Sequence, residues 1–182
     1  MRNSKRLVVG LVAAIIALAA GVYIGLETRQ ERPPEPSISA DAITRLFASQ
    51  LKDSEGKPQA LAQWQGKTLV INFWATWCPP CREEMPSFSR LQTKYAANGV
   101  QFVGIALDTS DNVATYSKQF PVSYPLLIAD NEGLELTKLL GNAQMALPYT
   151  VVVGVDGNVR LARLGRVSEQ ELDLILQKTS LH

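Results

Sequence analysis

Histidine is all but missing from this chain: among 182 residues the only one is His182, at the last position. Catalysis of the Ser-His-Asp or Cys-His kind needs an imidazole fixed by packing, and a chain end is seldom fixed. Cysteine is nearly as scarce. The chain has two, Cys78 and Cys81, separated by two residues. A disulfide-built secreted scaffold needs more of them, spread more widely. The spacing is also that of half a zinc site, but two further ligands would be needed, and His182 is the only candidate beyond carboxylates. No metal and no other cofactor is expected. An excess of one charge is missing too: 18 Lys and Arg face 17 Asp and Glu, a formal net charge of +1. With no long basic run, nothing points to nucleic acid as a partner.

Nor does the cysteine pair read as a structural staple. Closing so short a loop removes only about 2 kcal/mol of unfolded-state entropy, less than long loops give. A pair placed this way is poorly suited to stabilising and well suited to opening and closing.

What is present is a proper core composition, 46% apolar and 19% charged, in a length that fits one globular domain plus an appendage. The appendage is at the amino end. Residues 7–26 carry no charged side chain and as a helix would about span one bilayer core. Arg2, Lys5 and Arg6 precede the run, whereas Glu27, Arg29, Glu31, Arg32 and Glu35 behind it nearly cancel. The positive-inside rule then leaves residues 1–6 in the cytoplasm. The chain is expected to cross the cytoplasmic (inner) membrane once and to carry its domain on the periplasmic, extracytoplasmic side. A cleaved signal peptide competes with this, because Ala17-Leu18-Ala19 has the small-x-small pattern. Continuation of the apolar run through Val22, Tyr23, Ile24 and Leu26 favours the retained anchor, and both readings export the domain. No cysteine follows the run that could carry a lipid. Residues 27–40 hold Pro33, Pro34 and Pro36 among charges and serines, the composition of a semi-rigid spacer. The domain proper is 41–182.

Within it, Phe47, Ser49 and Leu51, followed by Gly56-Lys57-Pro58, suggest a short hairpin. Thr68–Trp74 is a β-branched and aromatic run that reads as a buried central strand. Met85, Phe88, Leu91 and Tyr95 recur at helical spacing until Asn98-Gly99 ends the helix, and Val100–Leu107 is a second buried strand. This β–α–β unit implies parallel strands. Helices over Asp111–Phe120 and Gly133–Leu140 flank a short strand at Leu126–Ala129. Asp156-Gly157 turns a hairpin between Tyr149–Val155 and Asn158–Leu164. The last helix opens on a capping box, Ser168 with Glu171, and buries Leu172, Ile175 and Leu176. The whole is an α/β domain with a central mixed β-sheet and flanking helices.

The cysteines sit where the central strand gives way to a helix. At a helix amino terminus, unpaired N–H groups and the positive dipole end favour a thiolate, which suits Cys78 as nucleophile. Cys81 lies one turn on, on the same face, where it can resolve a mixed disulfide formed on Cys78. Pro80 costs little in a first turn; Pro79 removes an amide that would otherwise face the sulfur. Trp77 is expected to stand exposed beside Cys78 and, with Pro79, to belong to the substrate-docking surface. Trp74 is expected in the core.

The stretch Asn72-Phe-Trp-Ala-Thr-Trp-Cys-Pro-Pro-Cys-Arg-Glu-Glu-Met-Pro86 resembles the active-site segment of extracytoplasmic thioredoxin-like proteins, the TlpA/ResA group in particular, which includes the cytochrome c maturation thioredoxins. The resemblance extends over roughly residues 38–180. It implies a thioredoxin-like fold with an N-terminal β-hairpin extension and a central αβ insertion. It also implies reduction of disulfides in exported proteins, often apocytochrome c, with electrons relayed by a membrane thiol carrier that re-reduces a Cys78–Cys81 disulfide. Pro148 matches the family's cis-proline, whose loop faces that disulfide and would let Leu147 present main-chain groups to a substrate. Glu84 matches an acidic residue kept near the disulfide, where a buried carboxylate can accept the Cys81 proton. Asn72 stands where cytoplasmic thioredoxins have a buried aspartate, so that base is missing here and the case for Glu84 or water grows.

Two other functions share the fold. In peroxiredoxins a threonine lies three residues before the reactive cysteine, whereas Thr76 lies two before Cys78. A non-enzymatic tethered adaptor would survive loss of Cys78. The expected activity is reduction, with the site kept reduced in the cell.

Overall fold

The computed structural model describes residues 38–179. The expected cytoplasmic segment 1–6, the anchor at 7–26, most of the spacer and His182 lie outside the described residues. Among the described residues no helix is long and apolar enough to cross a membrane.

The strands are β1 (Gln50–Asp53), β2 (Pro58–Ala60), β3 (Thr68–Trp74), β4 (Val100–Ala106), β5 (Leu126–Ile128), β6 (Tyr149–Val153) and β7 (Val159–Leu164). They form one seven-stranded sheet in the order β2-β1-β5-β4-β3-β6-β7. The two pairings of β3 explain its sequence, in which all seven residues are buried. A strand paired in parallel with β4 on one side and antiparallel with β6 on the other, and covered on both faces, needs a nearly continuous apolar run. β5 is parallel to β4, and the β1–β2 and β6–β7 hairpins are antiparallel, so the sheet is mixed. Gly157, at φ 77°, supplies the left-handed residue of the second hairpin's turn.

Among the described residues five α-helices cover the sheet: α1 (Ala40–Ala48), α2 (Pro79–Tyr95), α3 (Ser110–Gln119), α4 (Asn131–Leu139) and α5 (Glu169–Thr179). Alternation along the strands divides the core in two. Val70, Trp74, Phe102 and Val152 face one layer with Met85, Phe88 and Leu91 of α2, Val113 of α3 and Leu172 and Leu176 of α5. Leu69, Ile71, Phe73, Val103 and Val151 face the other with Ile43 and Leu46 of α1 and Leu136 of α4. Each face thus carries an apolar layer, and α2 lies over the middle of one of them.

Most elements fall within a residue or two of the sequence reading. The exception is the segment before the hairpin. Phe47 belongs to α1, not to a strand: Ser39 caps that helix by accepting from the Ala42 N–H at 3.1 Å, and Ala42, Ile43 and Leu46 bury at helical spacing. Ser39 and Ala40, assigned from sequence to the spacer, therefore open the domain. The hairpin itself follows, with Leu51 buried in β1. In α5, Leu172 and Leu176 are buried while Ile175 is only half covered, and Ser168 Oγ accepts from the Glu171 N–H at 3.2 Å as its capping box requires.

Candidate active site

β3 ends at Trp74 and α2 starts at Pro79, and Cys78 is the N-cap between them. Cys78 and Cys81 are joined in a disulfide, with Cα atoms 5.3 Å apart. The Cys81 N–H points at Cys78 Sγ at 3.3 Å. Because Pro79 and Pro80 have no N–H, this is the single amide of the first three helical positions that can face the sulfur. Cys78 keeps 4% of its surface and Cys81 none, so of the pair only the N-cap residue reaches the surface.

Glu84 lies one turn beyond Cys81 on the buried side of α2. Only 2% of it is exposed. Its Oε1 accepts from Asn72 Nδ2 at 2.8 Å and its Oε2 from the Val167 N–H at 3.2 Å. Burial pushes its carboxyl up to about 7, against the opposing pull of those two hydrogen bonds and of the Arg166 charge. Its neighbour Glu83, about 100° round the helix, instead reaches Arg166 Nη1 at 2.6 Å on the surface. Asn72 also donates to Thr150 Oγ1 at 3.1 Å, so β3, β6, α2 and the loop before α5 meet at this carboxylate.

The Leu147–Pro148 peptide bond is cis, as the sequence suggested. Tyr149 pairs with Phe73, and one step further along the register puts Pro148 level with Trp74, at the end of the sheet that carries Cys78. The loop into it is braced by Asn142, which donates to the Ala146 carbonyl at 2.9 Å and accepts from the Ala146 N–H at 3.0 Å. Leu147 is half-buried and Pro148 buried. Trp77 is 66% exposed and Trp74 fully buried. Beside exposed Pro79 a groove of about 710 Å³ opens between α2 and α3, walled by Arg82, Met85, Pro86, Tyr116 and Phe120.

Asp108, like Thr150 and Val167, belongs to the site's frame and escaped the sequence reading. Asp108 accepts from the Thr76 N–H and Oγ1–H through one oxygen, and from the Thr109 N–H at 2.8 Å and Asn112 Nδ2 at 2.7 Å through the other. Burial raises its carboxyl, but these hydrogen bonds outweigh burial and hold it below the usual carboxylate range. It ties the loop carrying Trp77 to the start of α3. A faint signal was available, since an acid just after a buried strand and before a threonine N-cap often organises a turn. Among the described residues no cluster of His, Cys, Asp and Glu is arranged to hold a metal ion.

A family model described as Redoxin matches residues 36–176. The chain is 34% identical over 181 residues to the thiol-disulfide oxidoreductase ResA of Bacillus cereus, covering 98% of both proteins. Among solved structures it is similar to a thioredoxin-related protein from Neisseria meningitidis serogroup B, with 36% identity and a TM-score of 0.63 over 72% of this chain and 99% of that one. A thiol:disulfide interchange protein from Chlorobium tepidum gives 32% identity and a TM-score of 0.64, over 72% and 92% of the two chains.

Proposed function

The chain belongs to the Redoxin family and is a thiol–disulfide oxidoreductase of the ResA kind, and from that premise we propose that it reduces disulfides of exported proteins while held to the cytoplasmic membrane by residues 7–26. Exchange chemistry of this class sets aside the thiol peroxidase and the adaptor. The observation that carries the reading is the Cys78–Cys81 disulfide at the start of α2 with a buried carboxyl of raised proton affinity one turn below it.

In the reduced enzyme the Cys78 thiolate, favoured by the Cys81 amide and the helix dipole, attacks one sulfur of the substrate disulfide. A mixed disulfide forms, and the substrate's other sulfur leaves as a thiolate and takes up a proton. Glu84, ionised at that moment, accepts the Cys81 proton directly or through water. The Cys81 thiolate then attacks Cys78 Sγ, which closes the intramolecular disulfide and expels the second substrate sulfur as a thiolate, and that thiolate takes up the proton Glu84 had accepted. Two electrons have passed from the enzyme pair to the substrate. A membrane dithiol carrier returns them, because an exported reductase has no other supply on its side of the membrane. Exposed Trp77, the groove beside Pro79 and the Leu147–Pro148 loop form the face on which a substrate segment rests. Apocytochrome c is the leading substrate class, since its Cys-x-x-Cys-His thiols must be reduced before they bond haem.

The test is trapping in the native host. Cys81→Ser leaves the nucleophile but removes the resolving thiol, so exported proteins should accumulate as mixed disulfides on Cys78, identifiable by mass spectrometry. Recovery of only cytoplasmic proteins, or of none, would contradict the proposal.

A further inference from the structure

Three buried polar side-chain atoms among the described residues have no hydrogen-bond partner within the protein: Asn72 Oδ1, Trp74 Nε1 and Tyr124 Oη. Leaving a buried donor or acceptor unpaired is costly, and folded proteins do it rarely. These three are not scattered. Residues 72 and 74 of β3 project from the same face of the sheet, and Asn72 is level with Gly104 on β4 and with Thr150 on β6. The Asn72 amide nitrogen is committed to Thr150 and Glu84. A carboxamide carries its oxygen on the other branch, so Oδ1 turns toward β4. The residue opposite it there has no side chain. A Cβ placed on Gly104 would stand 2.7 Å from Leu126 Cδ2, 3.1 Å from Trp74 Nε1 and 3.4 Å from Tyr124 Cε2, so a leucine methyl covers the glycine directly and the two rings that bear the other unpaired atoms stand beside it.

We propose that Asn72 Oδ1, Trp74 Nε1 and Tyr124 Oη, gathered around Gly104, bind one internal water, which accepts from the Trp74 N–H and the Tyr124 O–H and donates to Asn72 Oδ1. An indole N–H can only donate, an amide oxygen can only accept and a hydroxyl does either, so one water satisfies all three. Three protein partners is also the usual complement of a buried water.

The consequence falls on Glu84. A primary amide can turn over and exchange its oxygen for its NH2. As it stands, Asn72 donates to Glu84, which favours the carboxylate; turned over, it would offer an oxygen, which favours the protonated acid. Water bound to Oδ1 locks the donating orientation. The other groups facing Glu84 are the Val167 N–H and the Arg166 guanidinium from the loop before α5, the Tyr124 phenol, and on α2 the cysteine pair and the Glu83 carboxylate that Arg166 pairs with. The water site stands on packing alone; only its bearing on turnover rests on the function proposed above.

Tyr124→Phe tests it by removing one oxygen while keeping the ring. The protein is measured oxidised, without turnover, by thermal unfolding and by following the Glu84 carboxyl with carbon-13 NMR across pH. A bridged hydroxyl predicts a lower melting temperature in the variant, because the water loses a partner, and a Glu84 midpoint moved to higher pH. A merely unpaired hydroxyl predicts the reverse for stability, since its removal relieves a buried polar group, and no movement of Glu84. A melting temperature that holds or rises, or a midpoint that holds or falls, overturns the proposal. Disulfide reduction can persist in either case, so this failure is distinguishable from failure of the oxidoreductase mechanism.

Discussion

Asn72 and Glu84, twelve residues apart and on different elements, meet in a buried hydrogen bond of 2.8 Å one helical turn below the redox pair. The bond holds a carboxyl that burial has pushed up to about 7, where it can both take and return a proton near neutral pH. A general base of this kind must be ionised to work. The rate of disulfide reduction by the reduced enzyme should therefore rise with pH through a limb near 7. Glu84→Gln should remove that limb and lower kcat on the order of 10²-fold, the lower end for general acid–base catalysis. Stopped-flow reduction of a model disulfide across pH checks it; an unchanged profile would remove Glu84 from the proton path.

The same carboxyl makes stability depend on pH. Below its ordinary value of 4.5 it is protonated in folded and unfolded chains alike, and burial adds no penalty for charge. Between 4.5 and about 7 the unfolded chain has lost the proton and the folded protein keeps it, so stability falls as pH rises. Above about 7 the loss is complete, and it amounts to about 3 kcal/mol. Urea unfolding of the oxidised protein at pH values on either side of that window should show Glu84→Gln gaining about 3 kcal/mol on the parent protein as pH rises.

Trp77 is 66% exposed while the adjacent Cys78 is only 4% exposed, and on the function proposed above a protein substrate meets the indole before it reaches the sulfur. Trp77→Ala should weaken kcat/KM for a protein disulfide by roughly 30-fold, an interface anchor's loss of about 2 kcal/mol. Reduction of a small disulfide that does not touch the indole should stay near the parent rate. Comparing the two substrates on one enzyme preparation separates docking from chemistry.

Asp108 accepts hydrogen bonds from Thr76, Thr109 and Asn112 and joins the active-site loop to α3. Asp108→Ala leaves the Thr76 N–H and its neighbours without their acceptor and should cost about 1–3 kcal/mol. Asp108→Asn keeps one acceptor oxygen and should recover part of that. Equilibrium unfolding of the two variants measures both.

Much of this was legible in the chain, for reasons that are local. β3 was readable because a strand covered on both faces leaves a continuous run, Thr68–Trp74, that few other structures need. The redox turn was readable because its chemistry depends on a spacing of three residues. The segment at 47–51 misled because Phe47, Ser49 and Leu51 happen to alternate, while the signals that decide α1, the Ser39 cap and the Ala42-Ile43-Leu46 stripe, lie upstream of that window. Glu84 could not be told from Glu83 by composition, since burial on a helix depends on which side packs against the sheet. Thr150 and Val167 were out of reach for a further reason: each matters through a partner 78 or 83 residues away, and no local pattern records such a pairing. Asp108 left only its faint turn signal, because its bond to Thr76 spans 32 residues.

Whether the protein works as a reductase is decided by the state of its cysteines in the cell. Acid quenching of growing cells, followed by alkylation with a mass-shifting thiol reagent, reports the Cys78–Cys81 pair at native expression. A site recharged from a membrane dithiol carrier should be found mostly as free thiols, and should shift to the disulfide when that supply is cut. A pair found mostly oxidised in unperturbed growing cells would contradict the account and assign the protein to disulfide formation instead.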